Sequence, residues 1–144
     1  RPNADSGNGR IVAALEAFLA DYPGVARIFP SLGHRCYLSL LRHVRLLIGN
    51  SSSGLVEAPL FNRPVVNVGT RQAGRPAAAN VVTTGYGREQ ILEGIRWALA
   101  YAGPPVPSPY GDGQACGRIL ARLKEVLGSV ERPALLRKRF TDAC

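Results

Sequence analysis

Short apolar runs that alternate with amphipathic stretches limit this chain more than any other feature. "RLLIGN", "RPVVNVG" and "NVVTTG" each end on glycine or asparagine, and "VARIFPSL" has the same look. Between them lie segments with helical spacing. "GRIVAALEAFLADYPG" sets Ile11, Val12, Leu15, Phe18 and Leu19 on one stripe and stops at Pro23-Gly24. "HRCYLSLLRHV" does the same through Tyr37, Leu40 and Leu41, and "GLVEAPLFN" predicts a short helix. "REQILEGIRWALA" offers Ile91, Leu92, Ile95, Trp97 and Leu99 as apolar contacts. "DGQACGRILARLKEVLG" predicts another helix, with Asp112 as its N-cap. Strands alternating with helices predict a parallel sheet covered on both faces, a three-layer, Rossmann-like α/β fold.

With 144 residues, one α/β domain over 1–144 is expected, carrying a Pro-rich linker at 103–109 and a basic tail at 132–144. Hydrophobic residues make up 46% of the chain and no apolar run is long enough to cross a bilayer, so no membrane partner is expected. The start, "RPNADSGNGR", has no apolar signal region and opens on turn residues, which predicts a trimmed or partial chain. Three widely spaced cysteines without a CxxC exclude a disulfide framework and a zinc site, and fit a reducing, cytoplasmic setting. His34 and His43 have no carboxylates at ligand spacing, so no metal is expected. The net charge of +8 favours an anionic partner. Its arginines are scattered and not interleaved with aromatics, which argues against nucleic acid.

In open parallel sheets, ligands sit beyond the carboxyl ends of the strands. "GNSSSG" follows the run Leu46–Ile48 there. Gly49 and Asn50 turn the chain, and Ser51, Ser52 and Ser53 offer backbone and hydroxyl donors at a helix start. A nucleophile elbow, GxSxG, needs glycine where Ser53 stands, and a Walker loop needs a Gly-Lys ending. One serine as a helix cap explains one of the three, so the pattern favours a phosphate cradle over plain capping. Glu57 is suited to accept two hydrogen bonds from a ribose diol, and equally to be an exposed helix glutamate. "GTRQAGR" ends a second strand and supplies Arg71 and Arg75, whose forked donors match phosphate or carboxylate. Asn3 and Asp5 precede the first helix, either as caps or as further polar groups at the same rim.

"RPNADSG", "SLGHRCYLSLL", "IGNSSSGLVEAPLFNRPVVNVGTRQAGR", "ANVV" and "YGDGQACGRIL" occur in this order. Together they resemble the C-terminal domain of the UDP-N-acetylglucosamine 2-epimerases, in the hydrolysing branch that feeds sialic-acid-type sugar synthesis. The resemblance runs from Pro2 to about Leu123. It implies one half of a GT-B-like enzyme, with the nucleotide sugar between two Rossmann-like halves. It further implies that Ser51 and Ser52 bind the diphosphate, that Glu57 takes the ribose hydroxyls, that Asn3 and Arg71 line the nucleotide site, and that Leu32 sits beside the uracil. UDP-N-acetylglucosamine or UDP is then the small-molecule partner, and no cofactor is implied. The family eliminates UDP across C1 and C2 and hydrates the glycal, releasing N-acetylmannosamine. The acid and base groups are expected from an N-terminal half not contained in this chain, so the fragment alone is expected to be inactive, and the full-length enzyme is expected to be a homo-oligomer. A 2-epimerase for another UDP-sugar, such as a diacetamido sugar, and a nucleotide-binding module without chemistry remain the alternatives.

Overall fold

A computed structural model describes residues 8–129, and the side chains of 9–128. Asn3 and the basic tail at 132–144 lie outside the described residues. The chain divides into two compact units between Val44 and Arg45.

The first unit holds two helices. α1 spans Asn8–Asp21 and α2 spans Gly33–Leu41. The turn at Pro23-Gly24 stops α1 as the sequence predicts, with Gly24 at a φ of 84°. Ile11, Leu15 and Phe18 of the α1 stripe are exposed. The segment "VARIFPSL" is not a strand, which corrects that expectation. Residues 26–29 form no ladder, and Val25 and Phe29 are 75% and 49% exposed. A strand exists by its partner, and Pro30 has no N–H to offer one.

The second unit carries the sheet. β1 (Leu47–Gly49), β2 (Val65–Val68) and β3 (Val81–Thr84) lie side by side in that order, parallel throughout. The α/β class and the open parallel sheet follow the sequence pattern, and the arrangement is Rossmann-like. Register pairs Leu47 with Val65 and Val65 with Val81, while Ile48, Val66 and Val82 form the alternate row. Because strand side chains alternate, these two rows face opposite sides of the sheet.

Helices cover both sides. α3 spans Ser53–Val56 and passes directly into a 3₁₀ turn at Ala58–Phe61. The expected helix "GLVEAPLFN" is therefore broken in two, because Pro59 lacks the N–H that a continuous helix would need. Gly54 of α3 lies over the Leu47 and Val65 row, where an added Cβ would come within 2.9 Å of Val65. α4 (Arg88–Ala100) covers the other side. Its closest approach is made by Gly94, where a Cβ would stand 2.7 Å from Thr84 and 2.9 Å from Val66. Gly94 and Ala98 are the buried residues of this helix, whereas Leu99, expected to pack, is 46% exposed. Small residues one turn apart let the helix axis settle close to the sheet.

The core of this unit is compact. Leu55, Ala58, Val65, Val66 and Ala98 are almost fully buried, and each of the leucine and valine side chains contributes roughly 1.5–3 kcal/mol by leaving water. At the amino ends of the strands, fully buried Asn80 donates from Nδ2 to the Arg63 carbonyl at 2.9 Å, and its own carbonyl accepts from Val65 N–H at 2.9 Å. Residues 103–109 run as irregular backbone beyond α4. Asn62 donates to the Gly103 carbonyl, and the Tyr110 hydroxyl donates to the Pro76 carbonyl at 2.9 Å. α5 spans Ala115–Ser129. Asp112 is not its N-cap residue, because the helix starts at Ala115. Its carboxylate instead accepts from Gln114 N–H in an Asx turn just outside and pairs with Arg118. Among the described residues, no helix is long and apolar enough to cross a membrane.

Gly94→Val forces two branched side chains apart, and it should lower unfolding stability by about 2 kcal/mol or more. Gly117→Ala, on α5 with open space around it, should instead stabilise by about 0.5–1 kcal/mol through helix propensity. Chemical denaturation of the two variants beside the unaltered chain checks the opposite signs.

Candidate functional site

The parallel register sends all three carboxyl ends of the strands to one edge. The loops leaving that edge are 50–52 after β1, 69–75 after β2 and 85–87 after β3. Two of these three loops are the ones in which the sequence places polar residues.

The serine turn is short and exposed. Ser53 is the first residue of α3, and Gly54 and Leu55 donate their N–H groups to the carbonyls of Ser51 and Ser52. Ser52 occupies the N-cap position but makes no side-chain capping bond. Ser51 Oγ accepts from Ser53 N–H at 3.4 Å, a long contact. Capping therefore uses one hydroxyl weakly, and the Ser52 hydroxyl makes no hydrogen bond among the described residues. The backbone N–H groups of Ser51 and Ser52 donate to no backbone group among the described residues. A four-residue helix carries little dipole, which falls off with so few aligned peptides. The capacity of this turn to hold an anion rests on its own N–H and O–H donors rather than on the helix behind it.

Glu57 stands at the junction of α3 and the 3₁₀ turn, with its N–H bonded to the Ser53 carbonyl. It is half-buried, and its carboxylate makes no hydrogen bond or ion pair among the described residues. Arg71 is exposed on the loop after β2. Leu32 belongs to the first unit, where it immediately precedes α2. Asn3 lies outside the described residues. The second unit thus brings Ser51, Ser52 and Arg71 to one edge of one sheet, with Glu57 one turn into the crossover that follows the serines.

Two contacts that sequence reasoning missed hold the arginine loop in place. Gln72, only 6% exposed, donates from Nε2 to the Asn50 carbonyl at 2.8 Å. This bond joins the residue before Ser51 to the residue after Arg71. On the other side, the Tyr86 hydroxyl accepts from Thr70 N–H at 3.2 Å and lies 3.3 Å from Thr70 Oγ1. Gly69 makes this approach feasible. Its φ of 79° suits glycine, and a Cβ there would fall on the Tyr86 ring. Gln72 gives no periodic signal, being a carboxamide inside a loop. Tyr86 was findable, since "GYG" follows β3 at the same strand end as the other two loops.

The hydrogen bonds from Thr70, its hydroxyl first and its backbone N–H second, hold the Tyr86 phenol below the ordinary tyrosine value. Among the described residues no group of three or more His, Cys, Asp or Glu could hold a metal ion. Cys36 and Cys116 are free and exposed.

Residues 1–124 match the family model described as UDP-N-acetylglucosamine 2-epimerase. The chain is 36% identical over 125 residues to a protein of Legionella pneumophila named UDP-N,N'-diacetylbacillosamine 2-epimerase (hydrolyzing), covering 87% of this chain and 33% of that one. It is 32% identical over 142 residues to the UDP-N-acetylglucosamine 2-epimerase of Neisseria meningitidis serogroup B, covering 98% and 37%. It is 38% identical over 82 residues to a Campylobacter jejuni protein named GDP/UDP-N,N'-diacetylbacillosamine 2-epimerase (hydrolyzing), covering 57% and 21%. The chain therefore spans about a third of the length of the first two relatives.

Thr70→Val removes the larger of the two bonds to Tyr86 and should raise its pKa toward the ordinary value. A lowered folded pKa adds stability that is fully present above the unfolded tyrosine value of about 10 and is lost as pH falls through the folded pKa. This pH-dependent part is therefore absent at neutral pH in both chains, and only the alkaline limb of their stability profiles should differ in slope. An alkaline ultraviolet titration, referenced to Tyr86→Phe, reads the shift directly.

Proposed function

The chain belongs to the UDP-N-acetylglucosamine 2-epimerase family, and on that premise we propose that it is the part of a hydrolysing UDP-sugar 2-epimerase that holds UDP. The observation that carries this reading is the 2.8 Å bond from Gln72 to the Asn50 carbonyl. It ties the serine turn to the arginine loop at the strand edge where Rossmann-like sheets take their ligands.

In this reading, Ser51 and Ser52 donate N–H and O–H groups to the diphosphate. Arg71 adds a forked cation from the neighbouring loop. Glu57, whose carboxylate is uncommitted, accepts from the two ribose hydroxyls. The family resemblance further assigns Asn3 to the nucleotide and Leu32 to the uracil. These groups bind and orient the leaving group. Elimination of UDP from C1, with loss of the C2 proton, needs a base and an acid that act at the sugar. We assign those groups to a further, N-terminal half of the protein, which would close over the sugar in a GT-B-like pair and assemble as a homo-oligomer. Hydration of the glycal then releases the 2-epimeric sugar and free UDP.

UDP-N-acetylglucosamine is the substrate we propose. The Legionella pneumophila and Campylobacter jejuni relatives, named for UDP-N,N'-diacetylbacillosamine, favour a diacetamido UDP-sugar as the second reading. The two differ at the sugar ring, which the UDP-facing residues do not reach.

Titration of the chain with UDP should show weak, saturable binding. Ser51→Ala combined with Ser52→Ala, and separately Arg71→Ala, should each weaken it by about tenfold or more. Undiminished affinity in the double serine variant overturns the diphosphate seat. For the full-length protein, incubation with each UDP-sugar should yield UDP and a free 2-epimeric sugar from one of them. A product that keeps its UDP overturns the hydrolysing assignment.

A further inference from the structure

We propose that Gln72 is a positioning residue that fixes the distance between the serine turn and Arg71, acting on UDP through them rather than by contact. The inference rests on the proposed UDP site and goes beyond it, because Gln72 belongs to neither recognition loop's set of phosphate donors.

Three observations carry it. Gln72 is 94% buried, at 6% exposure, in a loop whose neighbours Arg71, Ala73, Gly74 and Arg75 are all exposed. Its Nε2 donates to the Asn50 carbonyl, the acceptor immediately before Ser51. Its Oε1 is buried with no hydrogen-bond partner among the described residues. A buried acceptor without a partner is costly, and an apolar side chain of the same length would fill the space without that cost. A residue placed here for stability alone would not be a glutamine. The carboxamide is explained by its donor, which reaches across from the loop after β2 to the loop after β1. The same residue's carbonyl accepts from Arg75 N–H at 3.2 Å, so the turn bearing Arg71 is anchored by Gln72 through both its side chain and its backbone.

The consequence separates binding from folding. Asn50 is exposed, so its carbonyl can take a water when Gln72 is replaced. Gln72→Met should therefore leave the Tm unchanged or raised, while loosening the two loops. UDP affinity should fall by about tenfold. Because Gln72 acts by setting Arg71 against the serine turn, its effect should largely vanish once Arg71 is gone.

A double-mutant cycle on this chain tests that coupling. UDP is titrated into the unaltered chain, Gln72→Met, Arg71→Ala and the double variant, followed by two-dimensional NMR, which reads weak binding. Gln72→Leu also loses the donor without adding a charge, and it carries the same cycle if Gln72→Met does not fold. A tenfold loss in the single variant, shrinking to less than about twofold in the Arg71→Ala background, is the expected result. Equal losses in both backgrounds overturn the inference, because Gln72 then acts independently of Arg71. Unchanged affinity in Gln72→Met or in Gln72→Leu also overturns it, with the UDP site left standing. Failure of the unaltered chain to bind UDP overturns the site itself, and the positioning role with it.

Discussion

Parallel pairing of β1, β2 and β3 is the constraint on which the second unit depends. A parallel pair cannot be closed by a tight hairpin, so each strand must be followed by a crossover that returns the chain to the same starting edge. Between β1 and β2 that crossover is α3 with its 3₁₀ turn, and after β3 the chain enters α4. The geometry concentrates every outgoing loop at one edge and every incoming segment at the other. The incoming edge is closed by Asn80, which is buried and bonded to the start of β2. The outgoing edge holds the exposed Ser51 and Ser52 and the exposed guanidinium of Arg71. One end of the sheet is closed by buried hydrogen bonds and the other presents polar groups to solvent.

Close packing on both faces lets so short a sheet hold its register. Leu47 and Val65 meet Gly54 on one side, and Val66 and Thr84 meet Gly94 on the other. At each contact the helix contributes a hydrogen where a side chain would stand. Dispersion falls off steeply with distance, so a close helix compensates for strands of only three and four residues. The same economy recurs at Gly69, where missing bulk admits the Tyr86 ring and with it the bond to Thr70.

Elements with strong apolar patterning were legible in the sequence. β1, β2, β3, α4 and α5 lie where "RLLIGN", "RPVVNVG", "NVVTTG", "REQILEGIRWALA" and "DGQACGRILARLKEVLG" predict them. The failure at "VARIFPSL" has a plain cause: composition reports what a strand is made of, while a strand is defined by a neighbour that local sequence cannot name. The packing stripe of α4 is legible in part. Ile91, Leu92, Ile95 and Trp97 are half-buried as their spacing predicts, but Leu99 faces water, and the most buried positions are the small residues Gly94 and Ala98. In the candidate site, the serine turn and Arg71 announce themselves by residue type and strand-end position. Gln72 does not, because its significance lies in a bond to a backbone carbonyl across two strands.

Exposure of the recognition groups bears on how the proposed site would gain its strength. Ser51, Ser52 and Arg71 are all open to solvent. A cation and a phosphate oxygen about 4 Å apart attract by only about 1 kcal/mol in water, and by about four times that at the effective dielectric of a protein surface. Donors fixed in advance lose less entropy on binding, and on the proposed reading that would be the contribution of the Gln72 and Tyr86 contacts on either side of the arginine loop. Preorganisation alone does not remove water. Covering the edge would do so, raising the value of every donor already in place without moving one of them. On the proposed reading, the two thirds of the relatives' length that this chain does not span would supply that cover.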